Sequence, residues 1–351
     1  MTEVKAGSTT RRPPEQRAIA DDSGTGIKAS DATIVLATYD HRRWPFLVTA
    51  VENLLADPYR PRQVIICVDQ NEELCERIRA TWPQVTAILN TRERGASTTR
   101  NIGAKFADTP FIAFLDDDIR VHEGWLSRLL EPFVDPAVVG TGGGVEPGWQ
   151  TRRPSWFPHE FNWVVGASYR GMPTVRAEVR NVWSENMAVR TEVFRAVGGF
   201  RSDFGKVGTR SSPEDTDLCI RMAATTPSAR WVYVPDALAE HHVPMSRAGF
   251  SYFLRRTYLE GRGKVEMARL LGRQEKLQSE RDYLRRTLPS GISSGVWAAV
   301  RHGEMSGLLR AGAIIAGILA AGVGAAFGMQ SHRARLWGEF RDETGLSETT
   351  K

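Results

Sequence analysis

The 351-residue chain has only three cysteines, Cys67, Cys75 and Cys219. They show neither the spacing of a zinc site nor the even number of a disulfide framework, which suits a reducing compartment. Cys67 and Cys219 stand among apolar neighbours, as small core residues do. Charge of one sign is not in large excess. A formal +5 favours docking on phosphates or an anionic membrane surface. The arginines are scattered and form no reader motif, so nucleic acid is not an expected partner. A phosphate-cradling fingerprint is also missing. Gly140-Thr-Gly-Gly-Gly144 has neither the spacing nor the position of a dinucleotide or P-loop motif, and close backbone approach explains it better. Residues 1–30 lack an apolar run, so a disordered tail is expected there and not a secretory signal.

A hydrophobic content of 41% supports a full core, and the length fits one large α/β domain with appendages, or two domains. Apolar runs at Thr33–Thr38, Gln63–Val68, Val85–Leu89 and Phe111–Leu115 read as buried strands, and helices are expected between them. That alternation predicts right-handed crossovers and a mostly parallel central sheet flanked by helices. Polar residues end the strands: Thr38, Tyr39 and Asp40, then Asp69, then Asp116, Asp117 and Asp118. In an open α/β sheet such strand ends line the ligand crevice. Three adjacent carboxylates repel one another, so they stay ionised cheaply only beside a cation or hydrogen-bond donors. Mg2+ or Mn2+ with substrate phosphates meets that need. The competing interpretation is a solvated acidic turn.

Further on, residues 204–213 have the glycine and serine content of a mobile lid. They deliver Glu214, Asp215 and Asp217, which open a helix, where acids often serve only the helix dipole. His241 and His242 follow a last strand. The aromatic stretch 149–173 is open to two interpretations, gripping a ligand or packing under a loop. Residues 247–306 read as a basic helical extension. The 311–329 stretch lacks charge and approaches the length of a membrane span, with Gly324 and Gly328 at a helix-packing spacing. A membrane-associated or transmembrane helix is expected over 307–330, with a polar tail over 331–351.

The acids at strand ends suggest a phosphorylated donor held through a divalent metal, and the Glu214-Asp215 pair would supply a base to deprotonate an acceptor hydroxyl. Six motifs in order carry a more specific resemblance. Ala37-Thr-Tyr-Asp40, Val68-Asp69, Arg94-Gly-Ala-Ser-Thr-Thr-Arg-Asn-Ile-Gly103 and Phe114-Leu-Asp-Asp-Asp118 look like the nucleotide-sugar half of family 2 glycosyltransferases. Asn186-Met-Ala-Val-Arg190 with Gly198-Gly-Phe200, and Glu214-Asp-Thr-Asp-Leu-Cys-Ile-Arg221, look like its acceptor half. The likeness covers about 33–244, so a GT-A type, Rossmann-like catalytic domain is expected over 31–246.

The resemblance implies a role for each matching position. Thr38, Tyr39, Asp40, Asp69, Arg94, Arg100, Asp116 and Asp117 would contact the nucleotide-sugar, with Asp117 in support. Asp118, with Asp116 and His241, would hold the Mn2+ or Mg2+; His242 is the alternative histidine. Asp215 would be the general base and Glu214 its neighbour, with Trp183, Asn186 and His242 on the acceptor side. Asp40 stands where Asn is common, and the second strand ends Asp-Gln-Asn and not in paired acids, which blurs the nucleotide. The expected activity is inverting transfer from a nucleoside-diphosphate sugar to a hydroxyl of a glycan or polyprenyl-linked acceptor. A fainter likeness points to the branch acting on lipid-linked or cell-envelope glycans. The expected location is a cytoplasmic catalytic domain on the cytoplasmic membrane. A sugar-phosphate nucleotidyltransferase lacks its basic glycine loop here, and a non-catalytic membrane scaffold sits poorly with intact Asp116, Asp118 and Asp215.

Overall fold

The computed structural model describes residues 26–202, 206–207, 210–211, 214–270 and 281–344. The expected N-terminal tail and lid lie mostly outside these residues. The first half follows the predicted alternation: β1 (Ala32–Thr38), α1 (Trp44–Ala56), β2 (Gln63–Asp69), α2 (Glu72–Thr81), β3 (Thr86–Asn90), α3 (Ala96–Lys105) and β4 (Phe111–Asp116). Pro45 lies in the first turn of α1, where its missing N–H costs nothing. Then come β5 (Ile119–Val121), α4 (Trp125–Leu130), β6 (Val138–Trp149), β7 (Ala177–Val179), β8 (Asn186–Arg190) and α5 (Thr191–Ala196). A short hairpin of β9 (Lys206–Val207) and β10 (Arg210–Ser211) precedes α6 (Glu214–Ala223) and β11 (Arg230–Val243).

The main sheet runs β3-β2-β1-β4-β8-β6-β11-β5, with β7 on β11. Its first four strands are parallel, as expected. Beyond them β8 runs antiparallel to both β4 and β6, so the acceptor-side half is mixed. The strands are buried on both faces because successive residues serve different layers. Ile34 and Leu36 pack with Leu47, Leu74 and Ile78 on one side, while Val35 packs with Ala104, Phe114 and Leu218 on the other.

The glycine run lies inside β6, not in a flexible turn. A Cβ at Gly140 would enter the Trp231 ring, and one at Gly143 would strike the Ala237 carbonyl and the Asn186 amide. Backbone proximity therefore explains the run. The aromatic stretch is also structural for the most part. Phe157 and Phe161 are buried, and Trp156 meets Phe250 and Phe253 edge-on.

The C-terminal part consists of α7 (Phe250–Leu270), a π-helical turn over Tyr283–Thr287, α8 (Leu288–His302) and α9 (Met305–Thr344). Gly303, with φ +70°, reverses the chain between α8 and α9. Glycines let these helices touch backbone to backbone: Gly324 lies against the Tyr258 carbonyl, Gly261 against that of Ala321, and Gly295 against Gly307. The small-residue spacing of α9 is thus used within the chain. Its opposite face leaves Leu308, Ile315, Leu319 and Val323 exposed.

Candidate active site

Parallel pairing brings the polar strand ends to one edge. Ala37 faces Asp116 across β1 and β4, and Thr38 faces Val68, next to Asp69. The strand order changes direction between β1 and β4, which opens a crevice at that edge. Thr38, Asp69 and the acid triplet all border it.

Each acid of the triplet has its own partner. Asp117 accepts from Thr38 Oγ1 at 2.6 Å and from Arg43 Nε at 2.7 and 2.8 Å. Burial raises its pKa, opposed by Arg43. Arg43 also reaches Asp118 Oδ2 at 2.8 Å, and His241 Nε2 lies 3.5 Å from the same oxygen. Against the cost of burial, the hydrogen bonds and charges of His241 and Arg43 hold Asp118 well below the usual carboxylate range. Asp116 accepts from Arg100 NH2 at 2.6 Å. Arg43 is the residue that sequence reasoning missed here. Nothing local marks it as the counter-ion of acids 74 positions away.

A second group of acids approaches from the other half of the chain. Arg100 NH1 lies 3.8 Å from Glu214 Oε1, and neither Nε nor NH1 has a hydrogen-bond partner. Burial and the Asp215 charge push Glu214 up to about 7. Burial also raises Asp215, opposed by Arg100 and by hydrogen bonds from Ser184, and its Oδ1 has no partner. Glu185, also unforeseen, lies beside His241. Its Oε2 is 4.0 Å from His241 Nδ1, and its Oε1 is buried without a partner. Burial pushes Glu185 up to about 8, helped by Asp116, Asp215 and Asp118 and opposed by His241. Arg100, bonded to Asp116 and within 3.8 Å of Glu214, therefore joins the acids of β4 to those opening α6.

At the far end, Asp69 accepts from Asn90 Nδ2 at 2.9 Å and from the Gly95 amide at 3.1 Å. Arg94 is exposed and stands 4.0 Å from Asp69. Tyr39 is 47% exposed, and the Arg43 guanidinium lies 5.6 Å from its ring centre. Asp40 caps the short helix His41–Arg43, accepting from the Arg42 amide at 2.8 Å, and its other contacts are to the Arg42 side chain. That local ion pair holds Asp40 down to about 2. It gives Asp40 a structural task that the nucleotide-binding expectation did not include.

The acceptor-side expectations divide. Asn186 is buried and its side-chain polar atoms are engaged within the fold. Nδ2 donates to the Gly144 and Ala237 carbonyls at 2.9 and 3.1 Å, and Oδ1 accepts from Trp125 Nε1 at 2.7 Å. Trp183 is half-buried, with its ring 6.3 Å from that of Tyr169. His241 and His242 point to opposite faces of β11. His242 stacks on Phe46 at 4.3 Å, and its backbone N–H donates to the Asp118 carbonyl at 3.0 Å. Only His241 faces the acids.

The donor chemistry around Asp118 suits a hard divalent cation. Asp118 Oδ1 is buried without a hydrogen-bond partner. His241 Nδ1 bonds to the Gly166 carbonyl at 2.9 Å, which leaves Nε2 directed at Asp118. A backbone carbonyl that holds one ring nitrogen in this way orients the other toward a metal. Among the described residues no three His, Cys, Asp or Glu groups enclose an ion by themselves, so the other positions would fall to phosphate and water, as is usual for Mg2+-type sites.

Comparison with known proteins gives the same assignment. A model of glycosyl transferase family 2 matches residues 33–198. The glucosyl-dolichyl phosphate glucuronosyltransferase of Haloferax volcanii is 31% identical over 240 residues, covering 67% of this chain and 76% of that protein. The succinoglycan biosynthesis protein ExoM of Rhizobium meliloti is 26% identical over 228 residues, 62% of this chain and 70% of its own length. In fold, a mannosyltransferase from Pyrobaculum calidifontis, solved with GDP-Man and Mn2+, superposes with a TM-score of 0.52 at 15% identity, covering 83% of this chain and 86% of that one. With a GT-A type fold and the family's motifs around one crevice, this chain belongs to glycosyl transferase family 2 and is a glycosyltransferase.

Proposed function

We propose that the enzyme transfers a sugar, with inversion, from a nucleoside-diphosphate donor to a hydroxyl of a lipid-linked or envelope glycan. The observation that carries this reading is the crevice itself. Asp118 and Asp215 each keep a buried Oδ1 without a hydrogen-bond partner, and Arg100 bridges Asp116 to Glu214 beside them. Support for the donor class comes from the Pyrobaculum enzyme, bound to GDP-Man and Mn2+. Support for the acceptor class comes from the Haloferax enzyme, named for a glucosyl-dolichyl phosphate.

Asp118 and His241 would hold the divalent ion, which when bound neutralises charge gathering on the leaving diphosphate. Asp69, with Asn90 behind it, would accept from the base, and Tyr39 would supply a face for it. Arg100 would offer its two free donors to the donor while its third group holds Asp116 in place. Asp215 would take the proton from the attacking hydroxyl. Its raised pKa suits that task, since a stronger base removes the proton more readily. Direct displacement on the anomeric carbon then inverts its configuration.

The exposed apolar face of α8 and α9 would rest on the membrane. The packing of α9 along α7, which carries Arg255, Arg256 and Lys264, favours lying in the interface over crossing the bilayer. Thermal-shift screening of nucleotide-sugars with and without Mn2+ tests the donor assignment. One donor should stabilise the protein only when Mn2+ is present. NMR of the product should show the opposite anomer to the donor, and a retained anomer would reject inversion.

A further inference from the structure

Outside the crevice, basic side chains gather where the aromatic loop meets the C-terminal helices. Arg153 forms no ion pair among the described residues. Its NH2 donates to Asn162 Oδ1 at 2.9 Å and the Phe157 carbonyl at 3.2 Å, and the guanidinium lies beside the Trp149 and Phe157 rings. Burial, with the charges of Arg310 and Arg170 and against that of Glu160, lowers Arg153 to about 10. His159 shows the same field: burial and then Arg153, Arg170 and Arg310 all depress its pKa. Glu160 is already bonded to Arg170 at 3.1 Å, and Arg310 is only 4.0 Å from Glu304. Positive charge is therefore left over at this place, partly shielded from water.

The position is also informative. A Cβ on Gly291 of α8 would meet both Glu160 Oε1 and Ile314 of α9, so the cluster abuts the α8–α9 hairpin. Near Arg310 in that hairpin, Trp297, Val300, Met305, Leu308 and Leu309 are exposed. An apolar surface with a cationic cluster at its edge, half-buried at Arg153 and Arg310, matches an amphiphile with one anionic head.

We propose that Arg153, His159, Arg170 and Arg310 form a binding site for the phosphate of a membrane lipid, distinct from the nucleotide crevice. The site rests on the membrane contact proposed above. It would seat a lipid phosphate while the exposed hairpin residues enter the acyl boundary. Arg170 and Arg310 add positive charge, and Arg153 supplies a guanidinium already held by Asn162 and the rings.

The test is sedimentation of the full chain with vesicles of phosphatidylcholine, with or without phosphatidic acid. Phosphatidic acid should tighten binding. Arg310→Gln and Arg153→Gln should each remove about fivefold of that gain and leave binding to phosphatidylcholine alone unchanged. Arg79→Gln, a distant exposed arginine on α2, should change neither. Equal binding to both vesicles, or equal losses in all three variants, would overturn the site while leaving the membrane contact standing. Absence of binding to any vesicle would overturn both. Displacement from phosphatidic acid vesicles by millimolar inorganic phosphate would reassign the site to free phosphate and overturn the lipid assignment.

Discussion

Arg43 decides whether the acid triplet can exist in the absence of metal. It bonds Asp117 through two nitrogens and reaches Asp118, and all three groups are largely buried. Removing one partner from such a group leaves buried charge uncompensated. Arg43→Gln should therefore cost about 3 kcal/mol, read as a shift in the urea midpoint at unchanged slope, and Mn2+ should restore part of the loss. The charged residues of the crevice were legible as residue types at strand ends. Their pairing was not. Arg43 to Asp117 and Glu185 to His241 join distant segments, and a single sequence carries no record of which distant charges meet. Asn186 shows the same limit within the core. A motif position resembling an acceptor residue proves to be a buried amide that joins β8, β6, β11 and α4.

At the scale of elements, period and turn chemistry made the first half readable. The strands from β1 to β4 and the helices between them fall within a few residues of expectation, since buried parallel strands are continuous apolar runs bounded by polar ends. The second half was harder because β6 is built on glycine, which has no strand signal of its own. The last strand, expected to end before His241, continues as β11 through a register shift to Val243 and so contains both histidines. The apolar C-terminal stretch fits both a span and a packed helix by composition, and the contacts of Gly261 and Gly324 show that it packs along α7. Gly324→Leu should push α9 away from the Tyr258 backbone and lower stability by about 1–3 kcal/mol. Ile318→Asp with Leu319→Asp, on the exposed face, should leave the fold intact and abolish sedimentation with phosphatidylcholine vesicles.

Over the whole molecule, carboxyls from both halves of the chain share one crevice with few cations, so its charge responds to pH. Burial raises Glu214 from 4.5 to about 7 and Glu185 from 4.5 to about 8, and Asp118 and Glu185 raise His241 from 6.5 to about 9 against burial. In each case the folded state holds its proton longer than the unfolded chain. These contributions are complete below the unfolded values and are lost as pH rises through the folded ones. Without metal or donor, the melting temperature should fall steadily between about pH 5 and pH 9. Mn2+ with the bound donor should flatten that slope. A rising melting temperature across this range would show that the acids are not buried together.

The most direct measurement compares Asp215→Asn with the unmodified enzyme, by calorimetry for Mn2+-dependent donor binding and by turnover for transfer. The expected result is donor affinity within a few-fold of the original and transfer reduced by at least about a thousandfold, since the base is lost and the donor site is untouched. Transfer retained within tenfold, or donor binding lost together with turnover, would contradict the division of the crevice between Asp118 and Asp215.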